Sequence, residues 1–292
     1  MTLSIITILK SLLRISGIDT KKLYQTLSVK SLEAAAREQG LVGLRAELRR
    51  VVPDVSDQYT APIDPSEFKR YWECKMRGLH SFQVQCVLDA LKLMDGDNLT
   101  IADIGDSSGN HGAYIKSLAP HGKVGRMISV NLDPVAVEKI QDKGGEAVLC
   151  RAEELSNLDI QPDMFLSFEM LEHLTDPIRF LYSLAISHSA PLLISVPYRQ
   201  NSRFGGESLR SPLSAGELSP ESIHFFELCP EDWTLLARFS GYRCAFTRVY
   251  RQYPRYHPLR VMAPIWRTLD FEGFLVLLLI PDRTLADRYT GW

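Results

Sequence analysis

Apolar runs of five to eight residues alternate with amphipathic stretches through the middle of this chain. The runs at 99–104, 126–133, 146–150, 163–168 and 191–197 are rich in Ile, Val, Leu and Phe and end in polar, Gly or Pro residues. That is the pattern of strands buried on both faces. Helical stretches follow the turn at 105–109 and occupy 135–140 and 177–182. Strands alternating with helices predict a parallel sheet covered by helices on both sides. Two more strands are expected at 242–249 and 273–280. Residues 32–97 read as helical, with breaks near Pro53 and between Pro62 and Pro65, and the last helix, at 81–93, is expected beside the first strand. The organisation is therefore an N-terminal helical region, 1–97, that caps or docks, followed by an α/β domain, 98–292.

The first residues need separate treatment. The apolar run at 3–9 is followed by Lys10 and Arg14. It is too short to span a bilayer, which takes about 20 residues, and it lacks the cationic start and cleavage site of a signal peptide. Ser4, Thr7, Ser11 and Arg14 would form a narrow polar stripe on a mostly apolar helix. Such a helix docks on its own protein or on a second subunit of a homo-oligomer. Peripheral membrane contact through residues 1–16 is the alternative, supported by Lys10, Arg14, Lys21, Lys22 and Lys30 against Asp19.

Composition narrows the classes further. The net charge of −2 over 292 residues gives no global attraction to nucleic acid. The five cysteines, Cys74, Cys86, Cys150, Cys229 and Cys244, have no C-x-x-C spacing, so neither a disulfide framework nor a zinc site is expected. The expected compartment is the cytoplasm, with the inner membrane face as the variant that peripheral attachment would add.

The chemistry starts at the turn after the first strand, Asp103-Ile104-Gly105-Asp106-Ser107-Ser108-Gly109. Small residues there let a ligand approach the backbone, and the helix that follows offers unpaired N–H donors. The order Gly105-x-x-x-Gly109-x-x-Gly112 is not the G-x-G-x-x-G of pyrophosphate sites, which weighs against a nicotinamide or flavin. Three further pieces follow in order: Asn131-Leu132-Asp133-Pro134, Arg151-Ala152-Glu153-Glu154-Leu155, and Phe168-Glu169-Met170-Leu171-Glu172-His173.

With these four pieces the stretch 99–196 resembles a class I S-adenosylmethionine-dependent methyltransferase of the small-molecule or sugar-modifying kind, similar to methyltransferase types 11 and 23. The resemblance implies a Rossmann-like sheet, mostly parallel with an antiparallel last strand, and S-adenosyl-L-methionine as cofactor. By position, Asp103, Gly105, Ser107 and Gly109 would handle the amino-acid end, Asn131, Leu132 and Asp133 the ribose, and Ala152 and Glu153 the adenine, with Glu169 beside them. Three positions depart from the pattern. Ser107 stands at the middle glycine, Asn131 at the acid that accepts both ribose hydroxyls, and Arg151 at an acid that accepts the adenine amino group. A neutral acceptor is roughly half as strong as a charged one, so a non-catalytic binding or scaffold protein with a degenerate pocket is the competing class.

The acceptor is expected to be a hydroxyl of a small molecule or glycan precursor, and its proton needs a base. His224, after the fifth strand, is the first candidate, followed by His173 and His111, with His80 as a further loop or helix histidine. Glu169, Glu172 and His173 have the spacing of metal ligands on one helical face, but no metal is expected without a further ligand nearby. Arg199 and Arg203 in the long polar segment 198–219 would suit an anionic group on the acceptor. The aromatic and cationic residues at 250–257 read as an anchored surface loop or a stacking platform.

Overall fold

The computed structural model describes residues 19–58, 69–157, 160–210, 223–269 and 271–288. Three helices come first: α1 (Thr20–Glu38), α2 (Val42–Val51) and α3 (Arg70–Leu91). The α/β part follows as β1 (Leu99–Ile104), α4 (Asn110–Leu118), β2 (Val124–Asn131), α5 (Pro134–Asp142), β3 (Glu146–Leu149), β4 (Met164–Phe168), α6 (Pro177–Ser187) and β5 (Leu192–Tyr198). The last part holds β6 (Arg203–Phe204), α7 (Glu207–Arg210), β7 (Phe226–Glu227), α8 (Pro230–Phe239), β8 (Tyr242–Arg251), α9 (Ala263–Leu269), β9 (Gly273–Pro281) and α10 (Arg283–Ala286). The apolar run 1–16 lies outside the described residues.

Helix starts follow local chemistry. Asp133 accepts from the N–H of Val135 and Pro134 opens α5, while Asp176 accepts from the N–H of Arg179 and Pro177 opens α6. A side-chain cap and a proline at the first helical position satisfy or remove donors that have no partner within the helix.

Seven strands form one sheet in the order β3-β2-β1-β4-β5-β9-β8. β1 to β5 pair in parallel, β9 runs antiparallel to β5, and β8 runs antiparallel to β9. The expected antiparallel pair at the edge is thus present, with the later strand on the inside. Its residues, Gly-Phe-Leu-Val-Leu-Leu-Leu-Ile-Pro, are nearly all buried, whereas in β8 only Tyr242 and Tyr250 are buried and the rest are half-buried or exposed. A strand with neighbours on both sides and helices on both faces has to be apolar throughout; an edge strand does not.

Two cores sandwich the sheet. On one face Leu79, Phe82, Cys86, Val87 and Ala90 of α3 meet Ile101, Leu166, Leu193 and Val276. On the other, Phe180, Leu181 and Leu184 of α6 and Trp233 of α8 meet Ala102, Ile104, Phe165, Ile194 and Leu277. α3 is longer than the 81–93 expected from the sequence, because its first half packs with Leu32, Tyr253 and Trp266. Gly78 lets that helix close on β8: a Cβ there would lie 2.6 Å from the Tyr250 hydroxyl.

Strand order reverses between β1 and β4, so the loops leaving their carboxyl ends diverge and open a crevice. In open α/β sheets this is where ligands bind. Among the described residues no helix is long and apolar enough to cross a membrane.

Candidate functional site

The loop after β1 is held from within. Gly105 adopts φ +91°, a conformation that L side chains rarely take, and a Cβ there would meet Met170 at 3.0 Å. Asp106 turns its carboxylate onto the loop and accepts from the N–H groups of Ser108 (3.1 Å) and Gly109 (2.9 Å) and from the Ser129 hydroxyl (2.6 Å). Asn131 donates to the Asp106 carbonyl (2.9 Å) and accepts from the N–H of Asp133 (2.9 Å). Asn131 therefore ties the ends of β1 and β2 together, a bridge that a carboxylate could not make because it has no N–H to donate. Leu132 is exposed at the turn and Asp133 caps α5.

A short turn from the N-terminal region closes over this loop. The Gln58 carbonyl accepts from the Ser107 hydroxyl (2.5 Å), and the Gln58 side chain accepts from Ser108 (3.1 Å) and Asn110 (3.1 Å). Lys139 donates to the Asp57 carbonyl (2.9 Å), Lys143 donates to the Ser108 carbonyl (2.7 Å), and Lys143 pairs with the Asp57 carboxylate. Nothing in the sequence singles out Gln58, since its importance comes from a contact across about fifty positions.

Asp103 behaves differently from Asp106. It is 2% exposed, and its Oδ2 has no hydrogen-bond partner. Burial and the charge of Asp106 push its pKa well above the usual range. The nearest cation candidate is His111, whose Nδ1 lies 3.8 Å away. Burial in turn pushes His111 down to about 4, so that ring is neutral at physiological pH. Its Nε2 bonds Gln83 (2.9 Å), Gln83 donates to the Ser195 hydroxyl (2.7 Å), and Ser195 donates to Glu169 (2.8 Å). A buried polar chain thus runs under the ends of β1, β4 and β5. His80 stacks edge-on to His111 at 4.8 Å, with neither ring nitrogen hydrogen-bonded and its pKa pushed well down by burial.

Glu169 sits just past β4 with φ +51°, a left-handed conformation uncommon for a residue with a side chain. Burial raises its carboxyl to about 7, against the Ser195 hydrogen bond and the charges of His224 and Lys75, which favour ionisation. The Lys75 ammonium lies over the Phe271 ring at 4.6 Å. Ala152 lies beyond β3, packed against the second core; the side chain of Glu153 lies outside the described residues.

A second cluster forms where residues 223–227 fold onto the turn 171–173. The N–H of Phe225 donates to the Glu172 carbonyl (2.7 Å), and β7 pairs with β6. This brings His173 and His224 together, with ring centroids 4.8 Å apart. His173 Nδ1 bonds the Ile223 carbonyl (2.6 Å), and His224 Nδ1 bonds Glu227 (3.1 Å). Glu227 also receives Arg203 (2.7 Å) and Arg199 (3.2 Å). Burial alone would raise Glu227, but these donors and charges hold it at about 2. The two arginines expected to meet an anionic acceptor are thus paired inside the protein. Glu172, in the same cluster, has 0% exposure and neither carboxylate oxygen hydrogen-bonded. Burial, then the charges of Glu169 and Glu227, push its pKa well above the usual range.

The segment 250–257 is anchored rather than open. Tyr250 and Tyr253 are buried, and Arg255, Tyr256 and His257 donate their backbone N–H groups to Glu38.

Against known proteins, no protein-family model matches this sequence, and no curated protein matches it. Solved structures do. A "putative sarcosine dimethylglycine methyltransferase" from Galdieria sulphuraria is 12% identical with a TM-score of 0.52, covering 82% of this chain and 98% of that one. The chain has the class I methyltransferase fold. Two further similar structures were solved with S-adenosylhomocysteine or S-adenosylmethionine bound. The Burkholderia thailandensis 1,6-didemethyltoxoflavin-N1-methyltransferase, with S-adenosylhomocysteine, is 16% identical, TM-score 0.47, covering 68% of this chain and 78% of that one. The Synechocystis PCC 6803 magnesium protoporphyrin IX methyltransferase, with S-adenosylmethionine, is 12% identical, TM-score 0.47, covering 82% and 92%. At these identities the likeness is one of fold. The loop after β1 and the turn after β4 both leave the carboxyl ends of the strands between which the order reverses, where ligands bind in open α/β sheets.

Proposed function

We propose that this protein transfers a methyl group from S-adenosylmethionine to an oxygen acceptor, a hydroxyl of a small molecule or of a glycan precursor. The observation that carries the reading is Asp103, a buried carboxyl with an unpartnered oxygen at the carboxyl end of β1, beside a glycine with φ +91°. An uncompensated buried acid costs stability, and the ammonium of an amino-acid tail is a group that would satisfy it.

Asp103, Gly105, Ser107 and Gly109 would hold that tail, and Asn131, Leu132 and Asp133 the ribose. Asn131 can still serve, because its carbonyl oxygen has two lone pairs and the Asp133 N–H uses one. Ala152 and Glu153 would border the adenine. When bound, the cofactor supplies a methyl carbon activated by a sulfonium, so the acceptor oxygen gains the methyl group, sulfur keeps the bonding pair, and the oxygen loses its proton.

The chain's own work is then positioning and proton transfer. We assign the proton to Glu169, a half-buried carboxylate just past β4 that Ser195 holds in place. His224 and His173, each ring fixed by the partner of its Nδ1, would border the acceptor oxygen. His111, joined to Gln83, would set the position of that polar chain. In this reading residues 1–97 form the cover, through the turn at Asp57 and Gln58, and residues 98–292 the cofactor-binding domain.

Isothermal calorimetry with S-adenosylmethionine and S-adenosylhomocysteine tests the reading. Saturable binding by the wild type, weakened at least about 10-fold by Asp103→Ala, is expected, since a hydrogen bond to a charged group contributes about 1.5–3 kcal/mol. Absence of binding to either ligand would overturn it in favour of a non-catalytic scaffold.

A further inference from the structure

We propose that Glu172, His173 and His224 form a binding site for a divalent transition-metal ion. Each offers one ligand atom, and these atoms all lie within 4.8 Å of one another. The spacing of Glu172 and His173 alone does not make a site. The fold supplies the missing ligand by seating residues 223–227 against the turn 171–173, so that His224 arrives from fifty positions away.

Three independent observations point to a cation. Glu172 is wholly buried, and both of its oxygens lack hydrogen-bond partners. Native structures rarely tolerate such a group, and an absent ion is one of its standard explanations. The two imidazoles are also set up as ligands. His173 uses Nδ1 on the Ile223 carbonyl, which makes Nε2 the lone-pair nitrogen, and that atom lies 3.8 Å from Glu172 Oε1. His224 uses Nδ1 on Glu227, whose carboxylate is fixed by Arg203 and Arg199. A carbonyl or carboxylate behind a histidine is the arrangement that fixes tautomer and ring orientation in metal centres.

The donor set selects the ion. Two imidazoles and one carboxylate suit zinc, manganese, cobalt or ferrous iron, whereas magnesium and calcium prefer oxygen alone. Three protein ligands leave positions open, the arrangement of a catalytic and not a structural centre. There the ion would polarise an acceptor oxygen, a role that rests on the methyl-transfer reading; the binding itself does not.

The test uses the full chain stripped with a chelator and then titrated with Mn2+, followed by loss of the free-ion paramagnetic resonance signal, and with Co2+, followed by its visible absorption. One equivalent is expected to bind. Glu172→Gln and His224→Ala should each weaken it at least about 10-fold, and Glu227→Gln about 10–100-fold, the usual effect of losing an outer partner. His224 is partly exposed, so His224→Ala decides the matter if Glu172→Gln fails to fold. No saturable binding, or binding that neither variant changes, overturns the proposal. S-adenosylhomocysteine binding by the stripped protein is read separately, so loss of the metal site and loss of the methyl-transfer reading give different results.

Discussion

The loop at 105–109 and the cluster at 172–224 border the same crevice and are built on opposite principles. In the loop nearly every polar group is used: Asp106 takes two backbone N–H groups and a hydroxyl, Asn131 spans two strand ends, and Gln58 meets Ser107, Ser108 and Asn110. In the cluster Glu172 has no hydrogen-bond partner for either oxygen, although it is wholly buried. A satisfied polar network stabilises and rigidifies, while an unsatisfied one carries a cost that a ligand can relieve. In the proposed reading the loop is the preorganised wall, and the cluster, with Asp103 at the loop's root, is where ligands should produce the largest change.

The contrast can be broken most directly at Glu169, which lies between the two regions. Glu169→Gln removes the proposed proton acceptor and should lower kcat by about 100- to 10,000-fold. Product affinity should change little, as calorimetry with S-adenosylhomocysteine would show. Equal losses in turnover and in product affinity would place Glu169 in cofactor binding alone.

Next in size is a pH effect on stability at His111. Burial holds the folded ring at about 4 from an ordinary 6.5. Below pH 6.5 the unfolded chain takes up a proton that the folded chain refuses until about pH 4. Stability at this residue therefore falls as the pH drops through that window, by about 3 kcal/mol. Denaturant unfolding of wild type and His111→Asn across pH 4–7 should show the two curves converging as the pH falls; parallel curves would mean that the ring is not desolvated.

Gly105→Ala acts on the satisfied wall. The positive φ and the approach to Met170 should cost about 1–3 kcal/mol, read as a shift in the denaturant midpoint. The smallest expected effect is that of Gln58→Ala, which leaves Ser108 and Asn110 without their shared acceptor and should cost about 1 kcal/mol. A larger loss of stability there would mean that the N-terminal cover and the sheet fold as one unit.

Much of the fold was legible because its signals are local. The continuous apolar runs of β1, β4, β5 and β9 are read from neighbouring residues. That α3 runs unbroken from Arg70 was not legible, although 70–80 read as helical, because its first half is buried against Tyr253 and Trp266, far along the chain. Arg199 and Arg203 carry the signature of an anion site, yet both are committed to Glu227, a partner that no spacing rule reveals. Asn131 appears in the sequence as a weakened ribose acid, and in three dimensions as the bridge between two strand ends.

Local pattern was enough to give the succession of strands and helices and the glycine turn after β1, with the cofactor chemistry that this turn resembles. Hydrophobic period and turn residues act between near neighbours, so they can be read directly. The packing in three dimensions brings Gln58 onto that turn, gives Glu227 the two arginines, and joins His224 to Glu172 and His173. Those contacts join residues tens of positions apart, and they exist only because burying both faces of the sheet brings those segments together.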